Sequence, residues 1–257
     1  MSWDVITEIL TSHPADIKVE EGFHKALLVG PQPGNRAASM TSIISKTISQ
    51  LLWERDSDEQ WRNHRKLFKI LLREPSTRAF GGLLFEPAFH ELCIRGATFK
   101  IHLMDRQQGS ANYTFTNIRP RRQAGTKSGS KTLKLHRQVR FFFDEGENRI
   151  TDLLPDNYYQ PNTSNYPSID SFVYDPKSRQ ISAFQVTLAE VHDLKLRGVN
   201  ALRELAERHE IVDLRIRIIV VVLGGAQVAL TIRRELYDSL PLQMYFLKVT
   251  ENQLYPR

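Results

Sequence analysis

The architecture turns on one stretch, Ser168-Ile-Asp-Ser-Phe-Val-Tyr-Asp-Pro-Lys-Ser-Arg-Gln-Ile-Ser-Ala-Phe-Gln-Val-Thr187. β-branched and aromatic residues dominate 169–174 and 181–188, and the polar Asp-Pro-Lys-Ser-Arg-Gln segment between them is a turn, so two strands joined as a hairpin are predicted. On a period of two, Asp170, Phe172 and Tyr174 share one face of the first strand, while Ala183, Gln185 and Thr187 share one face of the second. If those faces coincide, a carboxylate, a carboxamide and a hydroxyl converge. A carboxylate in an otherwise apolar strand is costly unless it meets a partner or a cation, so Asp170 needs an explanation.

Downstream, Leu194, Val199, Leu202, Leu205 and Ala206 form the apolar face of a helix over 194–208. The nearly unbroken apolar run 214–223 then suits a strand covered on both faces, and 242–249 is a further strand. Upstream, strands are expected at 97–104 and 137–143. Before them a helix starts at Ser76 or Thr77 and stops at Gly96, with Pro87 inside it as a kink or a break. Helices are also expected over 39–55 and 59–73, after a short apolar strand at 24–30. The sum is an α/β fold with a mixed central sheet flanked by helices.

Composition narrows the function. The chain has 257 residues, 41% hydrophobic and 25% charged. Its longest apolar run, 218–223, is far short of the roughly 20 residues of a membrane-spanning helix, so no membrane partner is expected. The opening MSWDVITEIL has no basic region ahead of its apolar positions and does not resemble a cleavable secretory signal. A single cysteine, Cys93, leaves no intramolecular disulfide or cysteine zinc cluster and suits a reducing compartment. The net charge of +6 is local. Arg119, Arg121, Arg122, Lys127, Lys131, Lys134, Arg137 and Arg140 fall in one stretch with no acidic residue, which leaves the rest of the chain at −2. That stretch reads either as a phosphate-contacting surface or as a solvated basic loop over 119–137. The Gly30-Pro-Gln-Pro-Gly34 turn lacks the spacing of a nucleotide-binding loop, and the histidines form no His-x-x-x-His pair.

Candidate chemistry gathers around the hairpin. Glu86 and His90 are four residues apart on one helix face, and His192 closes the second strand. Two carboxylates, a carboxamide oxygen and imidazoles are donors suited to Mg²⁺ or Mn²⁺. Each has a plainer role open to it: Glu86 as a solvated helix residue, His90 as a packed one, Asp170 as a turn acceptor, Gln185 as the partner of a strand neighbour, His192 as a helix cap.

Gly82-Leu-Leu-Phe-Glu86 with His90, Tyr159-Gln-Pro161, Asn165-Tyr-Pro-Ser-Ile-Asp-Ser-Phe172, and Phe184-Gln-Val-Thr187 with His192 together resemble the C-terminal nuclease-like domain of Crinkler and retrotransposon-hot-spot type proteins, as found in fungi. The resemblance covers roughly residues 77–249 and implies a restriction-endonuclease-like, or PD-(D/E)xK, fold. It divides the chain into an appendage at 1–75, similar to the segment that follows the family's ATPase, and a domain at 77–257. It places Glu86 at the first-helix acidic position, Asp170 at the metal-binding aspartate and Gln185 where the catalytic lysine stands, followed by Thr187. The acidic residue two before that lysine falls on Ala183. The implied activity is Mg²⁺- or Mn²⁺-dependent cleavage of DNA, with the ion on Asp170, Glu86 and Gln185, and His90 or His192 moving a proton. Two other readings stay open. One is a non-catalytic nuclease-fold module that binds nucleic acid or a nuclear protein of a host. The other is an interaction fragment of a larger ATPase-nuclease. The implied location is intracellular and nuclear, including entry into a host cell by a route without a cleavable signal.

Overall fold

A computed structural model of the chain describes residues 27–32, 35–43, 58–73, 78–117, 129–144, 150–162, 166, 168–238 and 242–255. Arg119, Arg121, Arg122 and Lys127 lie outside the described residues, as do 44–55 of the expected helix over 39–55. Two compact units share the chain, one comprising residues 1–87 and 255–257, the other 88–254.

The described part of the first unit includes an antiparallel hairpin, β1 (Leu27–Gln32) and β2 (Asn35–Ile43). Residues 39–43 are therefore strand and not the start of a helix. Ser, Met, Thr, Ser and Ile there include two β-favouring residues and no strong helix former besides Met. Helix α1 (Asp58–Arg73) buries Phe68 and Leu71, and Phe68 meets the rings of Phe85 and Tyr255 at centroid distances of 6.3 and 5.7 Å. Helix α2 (Arg78–Arg95) runs through Pro87, where the division between the units falls. Proline there removes one backbone donor without ending the helix.

In the second unit the chain continues through β3 (Ala97–Leu103), β4 (Asp105–Gln108), β5 (Asn112–Thr116), β6 (Ser130–Leu135), β7 (Val139–Phe143), β8 (Asn157–Pro161), β9 (Ser171–Asp175), β10 (Gln180–Thr187) and β11 (Val191–Asp193). Helix α3 (Leu196–Arg208), β12 (Arg215–Leu223), β13 (Ala229–Arg233), α4 (Arg234–Asp238), β14 (Leu242–Val249) and α5 (Glu251–Leu254) follow. Eight strands form one mixed sheet in the order β6-β3-β14-β12-β10-β9-β8-β7, and four form a smaller one, β11-β13-β5-β4. The described part of the basic stretch is accordingly loop only at residues 129 and 136–138. Residues 130–135 are strand β6, paired antiparallel with β3.

The hairpin read from 168–187 is present, with β9 and β10 antiparallel and Ser171 opposite Phe184. Asp175 makes the turn by accepting from Lys177 N at 3.0 Å and Ser178 Oγ at 2.6 Å. Helix α3 carries the chain across to β12, parallel to β10, and β14 is parallel to β12 in turn. Val199, Leu202 and Leu205 of α3 pack with Ile216, Ile218, Val220 and Val222 on one face of the sheet. The other face receives the second-unit end of α2: Phe89 meets Phe99 and Phe184 at 5.9 and 5.4 Å. Ala88, Phe89, His90 and Cys93 are all buried, so this end of α2 is enclosed on more than one side. Gly96 ends the helix at a φ of +89°, where a Cβ would come within 3.0 Å of Arg137 N.

The two edge strands of the eight-stranded sheet, β6 and β7, are consecutive in the chain and joined by residues 136–138 alone. That link spans at most about 14 Å, so the sheet curls until its edges approach one another. Among the described residues no helix is long and apolar enough to cross a membrane.

Candidate functional site

Asp170 and Gln185 meet as the alternation requires. Asp170 N donates to Phe184 O at 2.9 Å, one step beyond the Ser171–Phe184 pair. Its side chain then turns to β10, where Oδ2 accepts from Val186 N at 2.7 Å and from Gln185 Nε2 at 3.2 Å. The carboxylate thus replaces the next carbonyl of the ladder as β9 gives out. A half-buried acid is satisfied here by a backbone amide and a neutral side chain.

Each of the other expected site residues has its own structural setting. Ala183, where the resemblance would place a second acidic residue, is 0% exposed in the core. Thr187 is buried, and its Oγ1 accepts from Ala189 N at 2.9 Å, closing a turn at the end of β10. His90 is buried 1% exposed on the opposite face of the sheet, its Nδ1 2.7 Å from Tyr158 Oη, which in turn lies 2.6 Å from Ser171 Oγ. Burial pushes the Tyr158 hydroxyl and the Cys93 thiol beside it well above their ordinary values, so both stay protonated. His192 does not close β10. It belongs to β11 of the smaller sheet, paired with Leu230, and its side chain is outside the described residues. Glu86 lies on α2 in the first unit, half-buried.

For the divalent ion that the resemblance implies, the fit is poor. Among the described residues no three His, Cys, Asp or Glu side chains gather at one point. At Asp170 the second donor is a carboxamide that presents its N–H₂ to the carboxylate, and the position that would supply a second carboxylate holds a methyl group. This set does not form the two-carboxylate cradle of such a centre.

A surface that the sequence reading missed lies on the same side of the sheet as Gln185, on strands β6, β3 and β14. Cross-strand register sets Lys134 opposite Thr98 and Thr132 opposite Lys100. His102 lies opposite both Ser130 and Phe246, its ring stacked on Phe246 at 5.2 Å, and Lys248 Nζ stands 5.8 Å from the same phenyl ring. Lys100, Lys134 and Lys248 are exposed, as are Thr98 and Thr132. The three strands contain no Asp or Glu at all. That shared absence across 97–103, 130–135 and 242–249 is the signal that could have found the surface. Lys131 is exposed on the opposite face, its Nζ 5.5 Å from the Tyr245 ring, Arg137 is exposed just past the end of β6, and the Gly129 end of β6 leads back to the basic segment outside the described residues. Comparison with family models, with curated proteins and with solved structures returns no match to this chain.

Proposed function

We propose that the second unit is a nucleic-acid-binding module on a restriction-endonuclease-like scaffold that holds DNA without cutting it. The observation that carries the reading is the acid-free face of β6, β3 and β14. Three exposed lysines there flank a stacked His102–Phe246 pair, with threonine hydroxyls between them. Clustered ammonium groups without carboxylates attract phosphates by releasing counterions, and the half-buried His102 ring, backed by the buried Phe246, is the aromatic group within reach of a base. The scaffold part of the reading is supported by the order of a helix, the antiparallel strands β8, β9 and β10, the crossover helix α3 and the parallel strand β12. The non-cutting part is supported by Ala183 in the core and by the Asp170 carboxylate, which β10 already occupies.

Fluorescence anisotropy with a labelled DNA duplex tests it. Lys100→Gln, Lys134→Gln and Lys248→Gln combined should weaken binding and flatten the slope of log K against log salt by about 0.9 for each phosphate left without its lysine. Supercoiled plasmid incubated with Mg²⁺ or Mn²⁺ should stay supercoiled. An unchanged salt slope in the triple variant overturns the surface. Nicking that disappears in Asp170→Ala overturns the non-cutting reading in favour of a metal-dependent endonuclease.

A further inference from the structure

Arg217 is a cation inside the most apolar strand of the sheet. β12 reads Arg-Ile-Arg-Ile-Ile-Val-Val-Val-Leu, and Arg217 is only 8% exposed. By strand alternation it lies on the face opposite Val220 and the lysine surface. Its partners are neutral: Nη2 donates to Gln180 Oε1, and the guanidinium lies 5.3 Å from the centre of the Tyr245 ring. Its Nε is enclosed and has no acceptor. The nearest carboxylate that acts on it electrostatically is Asp175, whose two oxygens are taken by Lys177 N and Ser178 Oγ in the β9–β10 turn. Burial accordingly pulls the Arg217 pKa below its ordinary value. An enclosed charge with no carboxylate in ion-pair contact is costly in a protein interior, and a bound anion relieves it.

The cavity next to it has the size to hold one. It measures about 570 Å³ and is lined by Arg217, Gln180, Ser182, Val173, Leu135 and Gln138, among others. Gln138 is also 8% exposed; its Nε2 donates to His136 O at 3.2 Å, while its Oε1 has no donor. One wall therefore carries an unmet donor on a cation, and the other an unmet acceptor. The volume falls in the range of small-molecule sites and well beyond that of a single ion. The lining also carries Lys134 and Lys177 against Asp156 and Asp175, which with Arg217 leaves it one charge positive.

We propose that this cavity binds a small organic oxyanion, its carboxylate or phosphate group seated on Arg217 and a hydrogen-bond donor of the same molecule turned to Gln138 Oε1. Planar guanidinium suits either group, because both offer two oxygens to one edge. Gln180 keeps the guanidinium in place without neutralising it, which an acidic residue there would do.

The full chain is titrated with inorganic phosphate and with citrate against sodium chloride of matched ionic strength, following the Arg217 Nε–Hε resonance and Tm. The resonance is assigned by its loss in Arg217→Lys. One of the two probes should move it saturably and raise Tm, and which one binds more tightly distinguishes a phosphate from a carboxylate ligand. Gln138→Glu, which turns the acceptor into a repelling charge, should weaken that probe at least tenfold. Arg217→Lys should abolish the rise in Tm. If Arg217→Lys does not fold, Gln138→Glu and the exposed Lys177→Ala carry the test. A response equal to that of sodium chloride, or one unaltered by these variants, overturns the proposal. So does displacement of phosphate by a 5′-phosphorylated oligonucleotide and not by its unphosphorylated form, which would give the cavity to a strand end.

Discussion

Asp170 sits in an apolar strand and so requires a partner for its carboxylate. A metal ion is one answer; the backbone of β10 is another, and Val186 N donates to the carboxylate at 2.7 Å. The two answers differ in what they require of the residue. A ladder acceptor needs an oxygen, whereas an ion needs a charge. Asp170→Asn keeps the oxygen and should leave stability within about 1 kcal/mol of the parent, while Asp170→Ala strands the Val186 amide and should cost about 1–3 kcal/mol. Urea unfolding of both variants measures the difference; equal losses in the two would mean that the charge matters more than the hydrogen bond.

At the scale of elements, α2, β8 and β9 are pinned by a buried polar chain of His90, Tyr158 and Ser171, with Cys93 beside Tyr158. Because burial raises the Tyr158 and Cys93 values, the folded protein keeps protons that the unfolded chain gives up near the ordinary values of 10.0 and 9.0. Stability is therefore fully present below pH 9 and falls as pH rises beyond it. Tyr158→Phe should lower stability at neutral pH by roughly 1–3 kcal/mol, since it removes the hydroxyl that His90 and Ser171 share. It should also flatten the alkaline decline, which denaturant midpoints between pH 8 and 11 would measure. The elements differ in how far sequence reveals them, and for physical reasons. The β9–β10 hairpin, α3 and β12 are legible because each buries a face, so burial writes a period of 2, of 3.6, or an unbroken apolar run. Strand β6 is hidden, because an edge strand with one face in water can be built from Lys, Ser and Thr, and it sits inside a charge run that looks like loop. β2 is hidden because Ile43, Ile44 and Ile48 share a helical spacing that carries the period back into it. The Asp170–Gln185 pair is legible because it follows from register within one hairpin. The meeting of Gln138 with Arg217 and Gln180 is not, because those two sit on the neighbouring strands β12 and β10 while Gln138 sits on the link between the edges, and only the curl of the sheet brings it to their cavity.

The largest constraint on the second unit is the link at 136–138, which ties the last strand on one side of the sheet to the last on the other. Gln138 N donates to Ile94 O at 2.9 Å, and the Arg140 guanidinium pairs with Glu91, so the link is also fastened to α2. Strands that end a sheet expose unpaired backbone groups and invite pairing with another molecule. β6 guards its own edge with Lys131 and Lys134, but β7 reads Val-Arg-Phe-Phe-Phe and carries a single charge, which Glu91 engages. Such a short, apolar, weakly charged strand is the kind that seeds fibrils when freed. The tether is thus a safeguard for solubility as much as a piece of topology. A Gly-Ser insertion of ten residues after His136 should leave β7 free to pair between molecules, giving concentration-dependent aggregation by light scattering, whereas the same insertion carrying Phe142→Lys should stay dispersed.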